Sequence, residues 1–191
     1  MGKVFVYGVK DDVPEDVDVI NTTSRSRNWS KGLSPFFLKP VGINAHNIEN
    51  VWQYSKVYAH QVDPDRNPTD KFFAWRDQGF MNKRAVRYPM GKGAIPLYSF
   101  WNGERLGYID ARKKIYSPIY RNSVVKTEAY KILYELYQEL GEVHLWDFDG
   151  YDYTHTTLKE VLNNPKRKMG HAFVLAAMLK NDIKPEFKNE K

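Results

Sequence analysis

The period of apolar and polar positions changes repeatedly along the chain, and each change predicts an element. Lys3 to Val9 and Val17 to Asn21 are rich in Val, Ile, Phe and Tyr and flank the polar DDVPED, so they predict two strands. From Asn47, a capping residue, Ile48, Val51, Trp52, Ser55 and Tyr58 recur at helical spacing, predicting a helix to about His60 with Trp52 in the core. Gln53 and Lys56 fall off that stripe and are expected at the surface. VDPDRNP, 62–68, predicts a loop, and an aromatic helix follows from Thr69 to about Gln78, with Gly79 placed to end it. Its Phe72, Phe73 and Trp75 are expected in a core rather than as a platform for bases. Tyr108 to Tyr116 predicts a helix with Tyr108, Ala111, Arg112 and Ile115 on one face, interrupted by Pro118. Thr127 opens the clearest helix, in which Ala129, Ile132, Leu133, Leu136, Tyr137 and Leu140 form the stripe and Gly141 the stop.

The last forty residues organise the rest. Val143 to Trp146 reads as a buried strand with Asp147, Asp149 and Gly150 at its exit. Thr157 and Glu160 have the spacing of a capping box for a short helix that stops before Pro165. NPKRKMGH then brings Lys166, Arg167 and Lys168 to the front of a helix expected from about Met169 to Leu179. Strands bounded by helices through short connections predict one α/β domain over residues 1–180. Its central, largely parallel sheet should hold the 17–21 and 143–147 strands among at least four helices, and residues 181–191 form a charged tail.

Composition narrows the function classes. With 42% hydrophobic and 15% aromatic residues the chain is globular, and its 191 residues suffice for a sizeable core. The absence of cysteine removes disulfides, thiolate metal sites and cysteine nucleophiles. Asp11 and Asp12 come too early for a signal peptide, and no apolar run approaches a membrane span, so a cytoplasmic protein with no membrane partner is expected. The net charge of +6 is spread over loops and helix faces; it permits an anionic partner without demanding nucleic acid.

Candidate chemistry lies mostly after strands. Thr22, Thr23, Ser24 and Arg25 follow the second strand with hydroxyls and a guanidinium suited to a phosphate or ribose. In GLSPFFLKPVG, Ser34, Phe36 and Phe37 can wall a pocket for a planar base, or the two rings can plug the core. MGKG lacks the earlier Gly and the Ser/Thr of a phosphate loop, which leaves Arg84, Arg87 and Lys92 as anion ligands and calls for no cofactor. Asp147, Asp149 and Asp152 offer oxygen ligands, but without an EF-hand pattern or paired histidines no metal is expected. Arg167, Lys168 and Gly170 complete an anion site at the last turn, where His171 is a packed histidine or a catalyst. Three function classes follow: a pocket for a nucleotide-like anion; an enzyme hydrolysing or transferring an N-glycosidic or phosphoester bond of a nucleoside or nucleotide, in which Asp147 or Asp149 stabilises an oxocarbenium-like sugar or activates water while His171 protonates a leaving base; or a surface for nucleic acid or a host protein.

DFDG is similar to the aspartate-nucleophile motif of haloacid dehalogenase-type phosphatases, but it falls late, Tyr151 follows Gly150, and too little chain remains for their later acidic motif. VINTTSRSRNWSKGLSPFFLKPVG, ENVWQYSKVY, RYPMGKGAIPLYSFWNGERLGYIDARKKIY and LWDFDGYD with NPKRKMGHAFVL resemble, over about residues 17–180, a family of small proteins of large T-even-type tailed bacteriophages. That resemblance implies no established activity; it implies a host-cell cytoplasm as the setting, and there sequestration of a host signalling nucleotide. SPFFLKP and GHAFVL are also similar to short bacterial α/β proteins with an SPFGNPF-like loop and a final Cys-His helix. His171 matches their histidine and Gly170 stands in the cysteine's place. This second similarity implies a Rossmann-like fold of the nucleotide-sensing and nucleoside-processing kind.

Overall fold

A computed structural model describes residues 2–183, so the charged tail lies outside the described residues from position 184 onward. Strands β1 (Lys3–Tyr7), β2 (Val19–Asn21) and β6 (Glu142–Trp146) form a wholly parallel sheet in the order β1-β6-β2. Val4 lies opposite Val143 and Val6 opposite Leu145, while Ile20 meets Leu145 from the other side. The two N-terminal strands are therefore not neighbours: the most buried strand of the sheet separates them. A second, antiparallel sheet, not expected from the sequence, joins β3 (Lys56–Val57), β4 (Tyr98–Trp101) and β5 (Glu104–Leu106).

The helices follow the hydrophobic pattern in kind, with corrected bounds. Helix α1 (Ile48–Tyr54) is capped by Asn47 but ends well before His60, because Lys56 and Val57 pair with Ser99 and Tyr98 instead. Helix α2 (Asp70–Phe80) runs through Gly79, where a Cβ would fall 2.0 Å from the Tyr54 ring. Gly79 thus serves the close approach of α1 and α2 rather than a stop. Pro118 does not interrupt its helix either. Helix α3 (Tyr108–Ala111) passes through a π-helical segment, Arg112–Tyr116, into α4 (Ser117–Val124), and the Ser117 N–H donates to the Arg112 carbonyl five residues back. The wider turn supplies the continuation that a proline N–H cannot.

Helix α5 (Glu128–Leu140) is capped by Thr127 and closed by Gly141 in the left-handed region at φ 69°. Its stripe packs through Ala129, Leu133 and Tyr137, while Leu140 is 65% exposed in the last turn. The capping box of α6 (Leu158–Asn163) is present in both directions between Thr157 and Glu160. Helix α7 (Ala172–Leu179) starts at Ala172, so the basic residues precede it in a turn instead of lining its front. All eight of its residues are buried.

One core cluster unites β1, β6, α4, α5, α6 and α7; another unites α1, α2 and the π segment. Phe72 is fully buried and, with Phe73 and Trp75, packs edge-on or tilted against Phe100, Tyr54 and Tyr58. Among the described residues no helix is long and apolar enough to cross a membrane.

Candidate functional site

The carboxyl ends of β2 and β6 open into a cavity of about 530 Å³, where α1, the π segment, the turn before α7 and the loops at 34–36 and 87–94 supply the remaining walls. The size suits a small organic ligand. Backbone geometry explains why these loops converge. A Cβ on Gly8 would meet the Gly150 carbonyl at 2.0 Å and one on Gly150 the Tyr7 carbonyl at 2.2 Å, so the DFDG turn is pressed against the end of β1.

Asp147 is held from three sides. Its Oδ2 accepts the Ala172 N–H at 3.0 Å and lies 3.1 Å from His171 Nδ1, and only a glycine at position 170 leaves room for the carboxylate. His171 donates from Nε2 to the Thr22 carbonyl at 2.8 Å. The Thr22 carbonyl can only accept, which fixes Nε2 as a donor, and Nδ1 faces the Asp147 carboxylate, so both ring nitrogens are engaged. Asp147 and His171 are 4% and 5% exposed, and Tyr120 covers the imidazole. The pair locks β6 to α7 and β2. Thr22 belongs to the same lock, with its N–H and its hydroxyl both donating to the Trp146 carbonyl, behind the cavity wall.

In front of this lock stand the cations. The Asn21 carboxamide accepts the Thr23 N–H and hydroxyl, and Thr23 Oγ1 accepts the Arg25 N–H, a pair of side-chain turns that aims Arg25 across the cavity. Arg25 and Arg87 lie 4.9 and 5.3 Å from the centre of the Phe148 ring. Arg87 also donates to Asp149 at 3.1 Å. Asn50, wholly buried, positions Arg87 from beneath: it donates to the Asn82 and Arg84 carbonyls and accepts the Val86 N–H. Arg112 is 1% exposed and spends its donors on the Val161, Asn164 and Arg167 carbonyls and on the Tyr108 hydroxyl. It staples the turn that carries Lys168.

The α1 wall was not foreseen as part of a site. Glu49 and Gln53, expected at no site, line the cavity with Lys56 and are mostly shielded from solvent. Gln53 Nε2 donates to Glu49 Oε1 at 2.8 Å, and Lys56 Nζ donates to Gln53 Oε1 at 2.6 Å while lying over Trp52. Burial pushes the Glu49 carboxyl up, against the Gln53 hydrogen bond and the Lys56 charge, and Asp149 adds to the rise. Burial lowers the Lys56 ammonium to about 8; Glu49 opposes this and nearby Lys168 assists it. Tyr116, buried beside these carboxylates, is held well above the usual phenol range, first by burial.

Of the residues singled out in the sequence, Thr23, Ser24, Arg25, Ser34, Phe36, Arg87, Asp147, Asp149, Lys168, Gly170 and His171 come together around the cavity. Thr22 lies behind it, and Lys92, Arg167 and Phe37 are not in its wall. Arg167 stacks on Tyr151 and Lys31 on the exposed Phe37 ring. The two phenylalanines thus divide: Phe36 is a wall, Phe37 neither wall nor plug. Asp149 and Asp152 do not join a ligand cluster; among the described residues no group of three or more His, Asp or Glu is arranged to hold a metal. Glu49, Gln53, Lys56 and Arg112 were missed. Their signal was a polar row at positions 49, 53 and 56, one helical face long, opposite an apolar stripe.

Residues 6–175 match a family of unknown function, DUF6939, and the chain belongs to that family. No curated protein and no solved structure matches it.

Proposed function

We propose that this cavity binds a nucleotide-like anionic small molecule. One observation carries the reading: three cations in the wall have no carboxylate partner among the described residues. Arg25 meets only the face of Phe148, Lys168 has no hydrogen-bond or ion-pair partner, and the buried Arg112 is satisfied by carbonyls and a phenol. Arg25 and Lys168 are exposed at the cavity and Arg112 is buried in its wall, so positive charge without an internal counter-ion is within reach of solvent and favours an anion from outside. Arg25 and Lys168 both line the cavity and can take phosphate oxygens, and the half-buried Phe36, with no ring partner among the described residues, offers a face to a base. Trp52 does not, because Lys56 already covers it.

The location supports the same reading, since ligands of parallel α/β sheets bind beyond the carboxyl ends of the strands. We carry the Rossmann-like description of the fold on that footing. The resemblance to tailed-phage proteins supports a setting in which binding removes a host signalling nucleotide. Titration calorimetry of the full chain against nucleoside mono- and diphosphates, cyclic nucleotides and ADP-ribose tests the proposal. At least one phosphorylated ligand should bind, and Arg25→Ala should weaken it about tenfold, or ~1.4 kcal/mol. Absence of heat with every member at millimolar concentration defeats the reading.

A further inference from the structure

We infer that the same cavity hydrolyses a glycosidic bond of its nucleotide-like ligand, with Glu49 as the acid that protonates the departing base and Asp149 as the base that receives a proton from water. The inference rests on the ligand class proposed above. It stands on two carboxyl groups that reach one cavity from different elements, Glu49 from α1 and Asp149 from the turn after β6.

Their surroundings differ as a division of labour requires. Glu49 is 6% exposed and its carboxyl accepts from a neutral amide; among the described residues no cation forms an ion pair with it, and the Lys56 and Arg87 charges act on it only from further off. That is the company of a carboxylic acid, and burial raises its pKa in the same direction. The Asp149 side chain is 27% exposed and faces the Arg87 guanidinium, the company of a carboxylate with access to water. Cleavage of a glycosidic bond asks for this pair: an acid to neutralise the leaving group and a carboxylate to draw a proton from the nucleophile. Asp147 Oδ2 and both ring nitrogens of His171 are engaged within the lock, which leaves Glu49 and Asp149 as the pair that differs in this way.

In the step, a water oxygen bonds to the anomeric carbon as the bond from that carbon to the base nitrogen breaks. The bonding pair leaves with the nitrogen, which takes the Glu49 proton, and the proton lost by water passes to Asp149. Exchange with solvent then returns both carboxyls to their starting states; nothing is oxidised or reduced. The negative charge that appears on Glu49 is met by Lys56, two hydrogen bonds away through Gln53. Gln53 is on this reading a positioning residue.

The test pairs chromatography with calorimetry on the full chain and the ligand panel above. Expected is release of free base from a ligand that binds, with Glu49→Gln retaining binding within about threefold while release falls about 100-fold or more. Asp149→Asn should behave alike, and it serves if Glu49→Gln does not fold. A ligand that binds and emerges unchanged overturns the hydrolysis and leaves the binding site standing. A panel that neither binds nor reacts overturns both. Release undiminished in either variant overturns the role assigned to that residue.

Discussion

At the residue scale, the site separates side chains that hold the fold from side chains that face a ligand. Asp147→Ala would leave the Ala172 N–H without an acceptor and His171 Nδ1 without its carboxylate in a buried place. Removing one partner of such a group costs about 3 kcal/mol, and urea unfolding should show it; a loss below ~1 kcal/mol would contradict the lock. Lys56 gives a pH signature. Its folded pKa is lowered from 10.5 to about 8, so the unfolded chain holds the proton more tightly between those values. The cost of burying the ammonium is in full force below pH 8 and fades as pH rises toward 10.5. The unfolding free energy of the wild type minus that of Lys56→Met should rise across this window by about 3 kcal/mol, and a flat difference would refute the shift. The sequence announced Asp147, Arg25 and Lys168 because each follows a strand or precedes a helix. It did not announce Glu49, whose importance comes from burial against segments far along the chain.

At the scale of elements, caps and periods were legible and endings were not. Thr127, Asn47 and Thr157 each cap the helix that the pattern predicts, because the cap and its N–H partner lie within one turn. Thr157→Ala should cost α6 about 1 kcal/mol in thermal or urea unfolding, whereas no measurable change would mean that packing alone holds it. The misread endings all have causes outside their own segment. Helix α1 yields to a strand because β4 arrives to pair with it, and Pro118 is accommodated by a π turn whose side chains pack into the second core. Gly79→Ala puts a methyl into the Tyr54 ring and should destabilise the α1–α2 contact by about 1–3 kcal/mol.

For the whole molecule, the parallel sheet and its helices follow from strands that alternate with amphipathic stretches, and that much was visible. The strand order was not, since nothing local distinguishes β1-β2-β6 from β1-β6-β2. The second sheet hid in short, aromatic, glycine-punctuated segments that carry no period long enough to read. The cavity lies where both arrangements meet, so its walls come from seven stretches of chain and its full membership needed the fold.

The place of β6 between β1 and β2 also has a consequence in time. Residues 3–7 leave the ribosome well before their partner, which spans 142–146. At roughly 5–20 residues per second, the first strand waits on the order of 10 s for the strand that completes its ladder. During that interval Val4, Val6 and Ile20 have no sheet to enter, and α7, which buries them, is later still. A late segment therefore governs the fate of early ones: a ribosome that stalls before residue 142 leaves a chain with two orphan strands, a substrate for chaperones and proteases.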